Sequence, residues 1–242
     1  MTRQPLSPVA LVILEPPSSI ELAKRGTIYP DHIQHGIRES RRDDRRDPKA
    51  GQTGRHDPRP LVQAAVKAFG KIDIIVNNAG LADDMPLEHL TNEFWDRMFD
   101  TNVRLPAFLV QASLPHLGLA PRIVNISSIA ARAGYDATSV YSGSKVALEG
   151  LTRAWATELG QRYNATVNCV NPGLVGPVAM DVLAKGDPQV MEHWMAKSKE
   201  TPAAPRMGMP DDIAQIVAFL CEEGSRWCTG SVVNANGGMV PV

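Results

Sequence analysis

The sequence predicts an α/β fold: one doubly wound parallel sheet with helices on both faces, in a single domain spanning residues 1–242. Two observations carry this. From Leu61 onward, short apolar runs alternate with longer helical patterns, as expected of parallel strands joined by crossover helices. Three of those runs end in polar or glycine-bearing clusters, and ligands bind outside the carboxyl ends of such strands. The length of 242 residues, 43% of them hydrophobic, is enough for one large core.

In chain order, Leu61 to Phe69 has helical spacing and stops at Gly70. Ile72 to Val76 reads as a strand closed by Asn77, Asn78, Ala79 and Gly80. A helical stretch runs around Glu93 to Leu117, followed by a strand, Arg122 to Ile126, that ends in Ser127 and Ser128. A helix is predicted over Ser139 to Tyr163, where Val146, Leu148, Leu151 and Trp155 recur at helical intervals. The strand Thr166 to Val170 runs into Asn171, Pro172 and Gly173, and a helix over Asp211 to Glu222 precedes the strand Ser231 to Ala235. Trp155 and Leu151 on one face suit an interface and a core equally.

The first 60 residues are irregular. Val9 to Val12 reads as a strand and Ile20 to Arg25 as the end of a helix. Between them stands Ile13-Leu14-Glu15-Pro16-Pro17-Ser18-Ser19, which contains no glycine. Residues 30–60 carry a near-continuous charged block, Arg38 and Arg41 to Asp47, of mixed sign with few apolar neighbours, which predicts a solvated or disordered loop.

Composition narrows the function. A formal net charge of −1, from 25 Lys+Arg against 26 Asp+Glu, gives no field to attract nucleic acid or an anionic membrane. No apolar run approaches the roughly 20 residues that span a bilayer. Met1 to Leu14 lacks the pattern of a secretion signal. The three cysteines, Cys169, Cys221 and Cys228, have no metal-ligand spacing and read as thiols in a reducing compartment. The expectation is a soluble cytoplasmic protein with no metal.

Tyr141-Ser142-Gly143-Ser144-Lys145 places a phenol and an amine on one face at the head of a helix. Ser128 lies upstream at a strand's carboxyl end, and Asn102 lies in the helix before that strand. Moving a hydride to or from a carbinol carbon requires a proton to travel on the oxygen. An ordinary phenol, with pKa about 10, holds its proton too tightly to act as a base near neutrality. A lysine ammonium roughly 4 Å away would favour the phenolate by about 4 kcal/mol at an effective dielectric of about 20. A serine hydroxyl would hold the substrate oxygen beside the tyrosine.

Together, Asn77-Asn78-Ala79-Gly80, Asn102, Ile126-Ser127-Ser128, Tyr141 to Lys145 and Asn171-Pro172-Gly173 resemble the short-chain dehydrogenase/reductase family. Arg206-Met207-Gly208, Pro210 to Ala214, Thr229-Gly230 and Gly237-Gly238 extend the resemblance from about Leu61 to the end. It implies a Rossmann-like fold and the cofactor NADP(H) or NAD(H). The substrate would be a small alcohol or carbonyl compound, and the assembly a homodimer or homotetramer. It also implies roles: Tyr141 as general acid/base, Lys145 on the tyrosine and the nicotinamide ribose, Ser128 as donor to the substrate oxygen, and Asn102 on a water of the proton relay. Asn77 to Gly80 would lie beside the adenosine, and Pro172, Gly173 and Val175 beside the nicotinamide. Residues 174–205 would form a substrate lid, with Gly186, Pro188 and Pro202 suited to an irregular loop and Met180, Met191, Trp194 and Met195 to an apolar lining.

Two departures qualify the resemblance. Gly176-Pro177 stand where the family often has a threonine on the nicotinamide amide. At the front end, the glycine-rich turn that holds pyrophosphate on backbone N–H groups is missing: two prolines remove donors, and Glu15 repels phosphate. A catalytically impaired homologue, kept as a structural or oligomerising partner, is the alternative expectation.

Overall fold

The computed structural model describes residues 11–14 by their backbone, together with residues 57–176 and 188–241. Five strands lie in sequence order across one sheet: β1 (Leu11–Leu14), β2 (Ile72–Asn77), β3 (Leu117–Ile126), β4 (Thr166–Pro172) and β5 (Val232–Ala235). Strands β2 to β5 are parallel. Six α-helices accompany them among the described residues: α1 (Arg59–Phe69), α2 (Asn92–Phe99), α3 (Leu105–Ser113), α4 (Ser139–Tyr163), α5 (Pro188–Lys199) and α6 (Pro210–Cys221).

The central strands are apolar on both sides because both sides are covered. On one face Ile75, Ile123 and Val167 pack under α1, α3 and α4 through Val62, Leu109, Val110, Trp155 and Leu159. On the other, Ile74, Val124 and Val170 meet Leu220 and Cys221 of α6. Trp155 is buried, with Leu151 packed against its cluster, so both belong to the core. The sheet with helices on both faces is therefore as expected, and α4 has the predicted limits.

Three elements differ from the sequence reading. The helix expected over Glu93 to Leu117 is broken. A π-helical turn, Asp100–Arg104, separates α2 from α3, and β3 already begins at Leu117. The cause is local. Pro106 lacks the N–H that would close an α-helical bond onto the Asn102 carbonyl four residues earlier, and the Leu105 N–H bonds Asp100 instead. Next, part of the expected irregular lid is the regular helix α5, with Pro188 at its start, where a missing N–H costs nothing. Residues 177–187, and Met180 with them, lie outside the described residues.

The third difference is β1. It occupies Leu11–Leu14 and runs antiparallel to β2, pairing Leu11 with Asn77 and Leu14 with Ile74. At Leu14, β1 lies beside Ile74, away from the carboxyl ends of β2, β3 and β4. The expectations for residues 15–56, including the charged block, lie outside the described residues.

Leu148 of α4 is 1% exposed. Leu148→Ala is expected to lower unfolding free energy by about 2 to 5 kcal/mol, measured by chemical denaturation.

Candidate active site

Strand ends and one helix head build the site. After β3, Ser128 caps a 3-10 turn, Ile129–Ala131, accepting a hydrogen bond from the Ala130 N–H at 3.2 Å. The same side chain lies close enough to the Tyr141 hydroxyl to pull its pKa down, so the helix head and the end of β3 come together there. Tyr141 is half-buried, packed with Met85 and Leu81 against Phe94, Met98 and Val140. One turn on, Lys145 is 5% exposed, and its ammonium donates to the Ile126 carbonyl at 2.8 Å.

Asn102 sits in the π turn, buried, with its amide fully engaged. Oδ1 accepts from the Leu81 N–H at 2.8 Å, while Nδ2 donates to the Leu81 carbonyl at 2.9 Å and to Ser144 Oγ at 2.9 Å. This binds the turn after β2 to α4. A Cβ on Gly80 would lie 3.2 Å from Lys145 Nζ and 3.3 Å from Asn102 Oδ1, so any side chain here would crowd the amine and the amide. The structure thus gathers Gly80, Asn102, Ser128, Tyr141 and Lys145 in one place.

The remaining sequence candidates flank this centre. Asn77 turns inward and donates to Asn125 at 2.6 Å, and Asn125 donates to Thr152 of α4 at 2.8 Å. Asn78 and Gly80 are exposed, with Ala79 half-buried between them. Pro172 pairs with Ala235, and a Cβ on Gly173 would stand 3.1 Å from Asn236 Cβ, so close packing of β4 on the turn after β5 demands glycine here. Val175 bridges Gly208. A cavity of about 360 Å³, lined by Gly173, Leu174, Arg206 and Asn236, opens at the carboxyl end of β4. A second of about 500 Å³, lined by Leu87, Tyr135, Asp136 and Ser142, opens beside the head of α4. Helix α5 reaches the same region, with Trp194 edge-on to Tyr135 at 5.1 Å.

The electrostatics correct the sequence reading. Burial raises the Tyr141 pKa above the ordinary phenol value; the Ser128 hydrogen bond pulls it down, and the Asp84 carboxylate pushes it up further. Lys145 is not among the groups that shift it. Its Nζ lies 5.8 Å from the phenol ring centre and is committed to the Ile126 carbonyl. The lysine itself is pushed down to about 8 by burial. Tyr141 is therefore a neutral phenol at pH 7.

Sequence reasoning missed Asp84 and Ser144. Ser144 lies inside the Tyr141 to Lys145 motif, and its helix face would have pointed to it. Asp84 sits in a turn whose Met85 N–H bonds the Ala137 carbonyl at 2.8 Å, a long-range closure with no local signature.

Comparison with known proteins agrees with this architecture. A family model described as enoyl-(acyl carrier protein) reductase matches residues 53–240. The short-chain dehydrogenase/reductase FrzI of Cladobotryum sp is 71% identical over 194 residues, covering 80% of this chain and 75% of that protein. Dehydrogenase OXI1 of Cochliobolus heterostrophus is 38% identical over 184 residues, covering 76% of this chain and 78% of its own. Among solved structures, a short-chain dehydrogenase/reductase (glucose/ribitol dehydrogenase) from Brucella melitensis superposes with a TM-score of 0.68 at 30% identity, covering 77% of this chain and 72% of that one. Aldohexose dehydrogenase from Thermoplasma acidophilum, in ligand-free form, gives a TM-score of 0.68 at 27% identity, covering 76% of this chain and 75% of its own.

Native Lys145 releases its proton near pH 8, whereas an unfolded lysine holds it to about 10.4. Between those values the unfolded chain binds more protons, so this group makes stability rise with pH. Denaturation at pH 7 and pH 9 should therefore show the wild type gaining stability relative to Lys145→Met as pH rises. An unchanged difference would contradict the buried amine.

Proposed function

The chain belongs to the short-chain dehydrogenase/reductase family of oxidoreductases, and on that premise we propose that it interconverts a secondary alcohol and a ketone with NADP(H) or NAD(H), Tyr141 acting as general acid/base. The observation that carries this reading is the meeting of Ser128, Tyr141 and Lys145 at the carboxyl end of the sheet: Ser128 caps the turn after β3, and Lys145, one turn along from Tyr141 on the same helix, holds the Ile126 carbonyl and lies 5.8 Å from the Tyr141 ring centre.

The site residues fit the nicotinamide end of such a cofactor. Gly80 leaves room where a Cβ would crowd Lys145 and Asn102, and Lys145 offers N–H groups beyond the one given to Ile126. Lys145 with Tyr141 would hold the nicotinamide ribose, Pro172, Gly173 and Val175 the nicotinamide, and Asn77 to Gly80 the adenosine side. The pyrophosphate end fits less well, since Ile13 to Ser19 contains no glycine and β1 runs antiparallel. The reduced cofactor, when bound, supplies a hydride to the carbonyl carbon.

The chain's own residues do the rest. Ser128 donates to the ketone oxygen and orients it. Tyr141, held as a phenol, delivers the proton that turns this oxygen into a hydroxyl, which favours reduction as the working direction. Asn102 locks the turn bearing Gly80 and Leu81 against α4. Trp194 and Tyr135 help exclude water from the substrate side.

A second reading has its own observation. With β1 antiparallel and no glycine turn, the chain would serve as a catalytically impaired partner of an active homologue. A panel of ketones, with NADPH and NADH and the absorbance of the reduced nicotinamide followed, separates the two. On the first reading, Tyr141→Phe lowers turnover by at least ~10²-fold. Equal turnover by both proteins removes the acid/base role. Calorimetric titration should also show cofactor binding weaker than micromolar, because the anion-binding turn is missing; submicromolar binding would contradict that.

A further inference from the structure

Two turns along α4 from Tyr141 stands a carboxylate that the proposed chemistry does not use. Glu149 is 3% exposed. A lone carboxylate at such a place costs several kcal/mol, so its partners identify its job. Both oxygens are taken. Oε1 accepts from Ser127 Oγ at 3.0 Å, and Oε2 pairs with the Arg132 guanidinium at 2.6 Å. Ser127 directly precedes Ser128, and Arg132 closes the 3-10 turn that Ser128 opens. The loop carrying Ser128 is therefore fastened to α4 on both sides of the serine, and Tyr141 projects from that same helix.

We propose that the Glu149–Arg132 ion pair is a positioning device: it clamps the Ser128 loop to the helix that carries Tyr141 and so sets the distance between the two hydroxyls.

The pair is built for rigidity. The Glu149 side chain is almost wholly out of water, while that of Arg132 is 33% exposed, so the bond is less screened than a surface pair. Other ties lie upstream of the serine: Lys145 Nζ holds the Ile126 carbonyl and the Ser127 N–H bonds the Val170 carbonyl, each at 2.8 Å, while the turn's remaining backbone bonds are internal to it, so downstream of Ser128 the ion pair is the tie to α4. A hydrogen bond fades beyond about 3.2 Å, and a 1 Å misplacement of a reacting group costs about 10²-fold in rate. A clamp on each flank of Ser128 meets that tolerance.

This inference rests on the roles of Tyr141 and Ser128 given above, and the test keeps the two apart. The probe is the fluorine resonance of 3-fluorotyrosine incorporated into the full chain, which has four tyrosines. Tyr141→Phe assigns the Tyr141 line, and Ser128→Ala marks its position when the Ser128 bond is lost. Arg132→Ala should move the line to the Ser128→Ala position, and Arg132→Lys should return it most of the way. With an active ketone, Arg132→Ala should lower kcat about 10- to 100-fold while the cofactor KM stays within about twofold. Melting temperatures verify folding. If Arg132→Ala does not fold, Glu149→Gln, which keeps a partner for Ser127, should shift the line the same way by less.

A line moved by Ser128→Ala but by neither clamp variant overturns the proposal. A line unmoved by Ser128→Ala overturns it too, and the functional reading with it. A line that follows the clamp in a protein without ketone turnover upholds the positioning and removes only the function.

Discussion

The geometry of the site depends on an ammonium taken out of water. Lys145 hangs on the Ile126 carbonyl, and that bond ties the head of α4 to the last residue of β3. Burial makes it a demanding tie. The amine is drawn down to about 8, so the fold carries the cost of a charge kept from solvent. Every other site residue is placed relative to this bond. Tyr141 stands one turn earlier on the helix, Ser128 two residues beyond Ile126 in the turn after the strand, and the Gly80 backbone lies close to both the amine and the Asn102 amide.

Much of this was legible in the sequence because it is local. The Tyr141 to Lys145 spacing, the apolar runs and the polar strand ends are short-range patterns, and the limits of α4 followed from periodicity alone. The parallel sheet followed from alternation. What escaped was set by longer contacts. No local signal marks the antiparallel course of β1, which depends on a partner some 60 residues away. The π turn escaped because Pro106 lies in an otherwise helical pattern, where its effect on Asn102 is visible only in three dimensions.

The tyrosine shows a different limit. Spacing placed phenol and amine on one face, and from that an acidified phenol seemed to follow. Sharing a face does not fix a distance. The amine turned to a strand carbonyl, and burial then governed both groups, raising the phenol and lowering the amine toward their neutral forms. The neutral phenol suits a donor, and the serine bond rather than the lysine is what moderates it.

One wall of the reaction chamber is bare main chain. At Gly80 a single methyl group would press on an amine and an amide together. Such a wall has no side chain to exchange, so divergence toward new substrates cannot proceed there by small steps. Variation has more room where Trp194 of α5 meets Tyr135, because there the surface is made of side chains that can be exchanged.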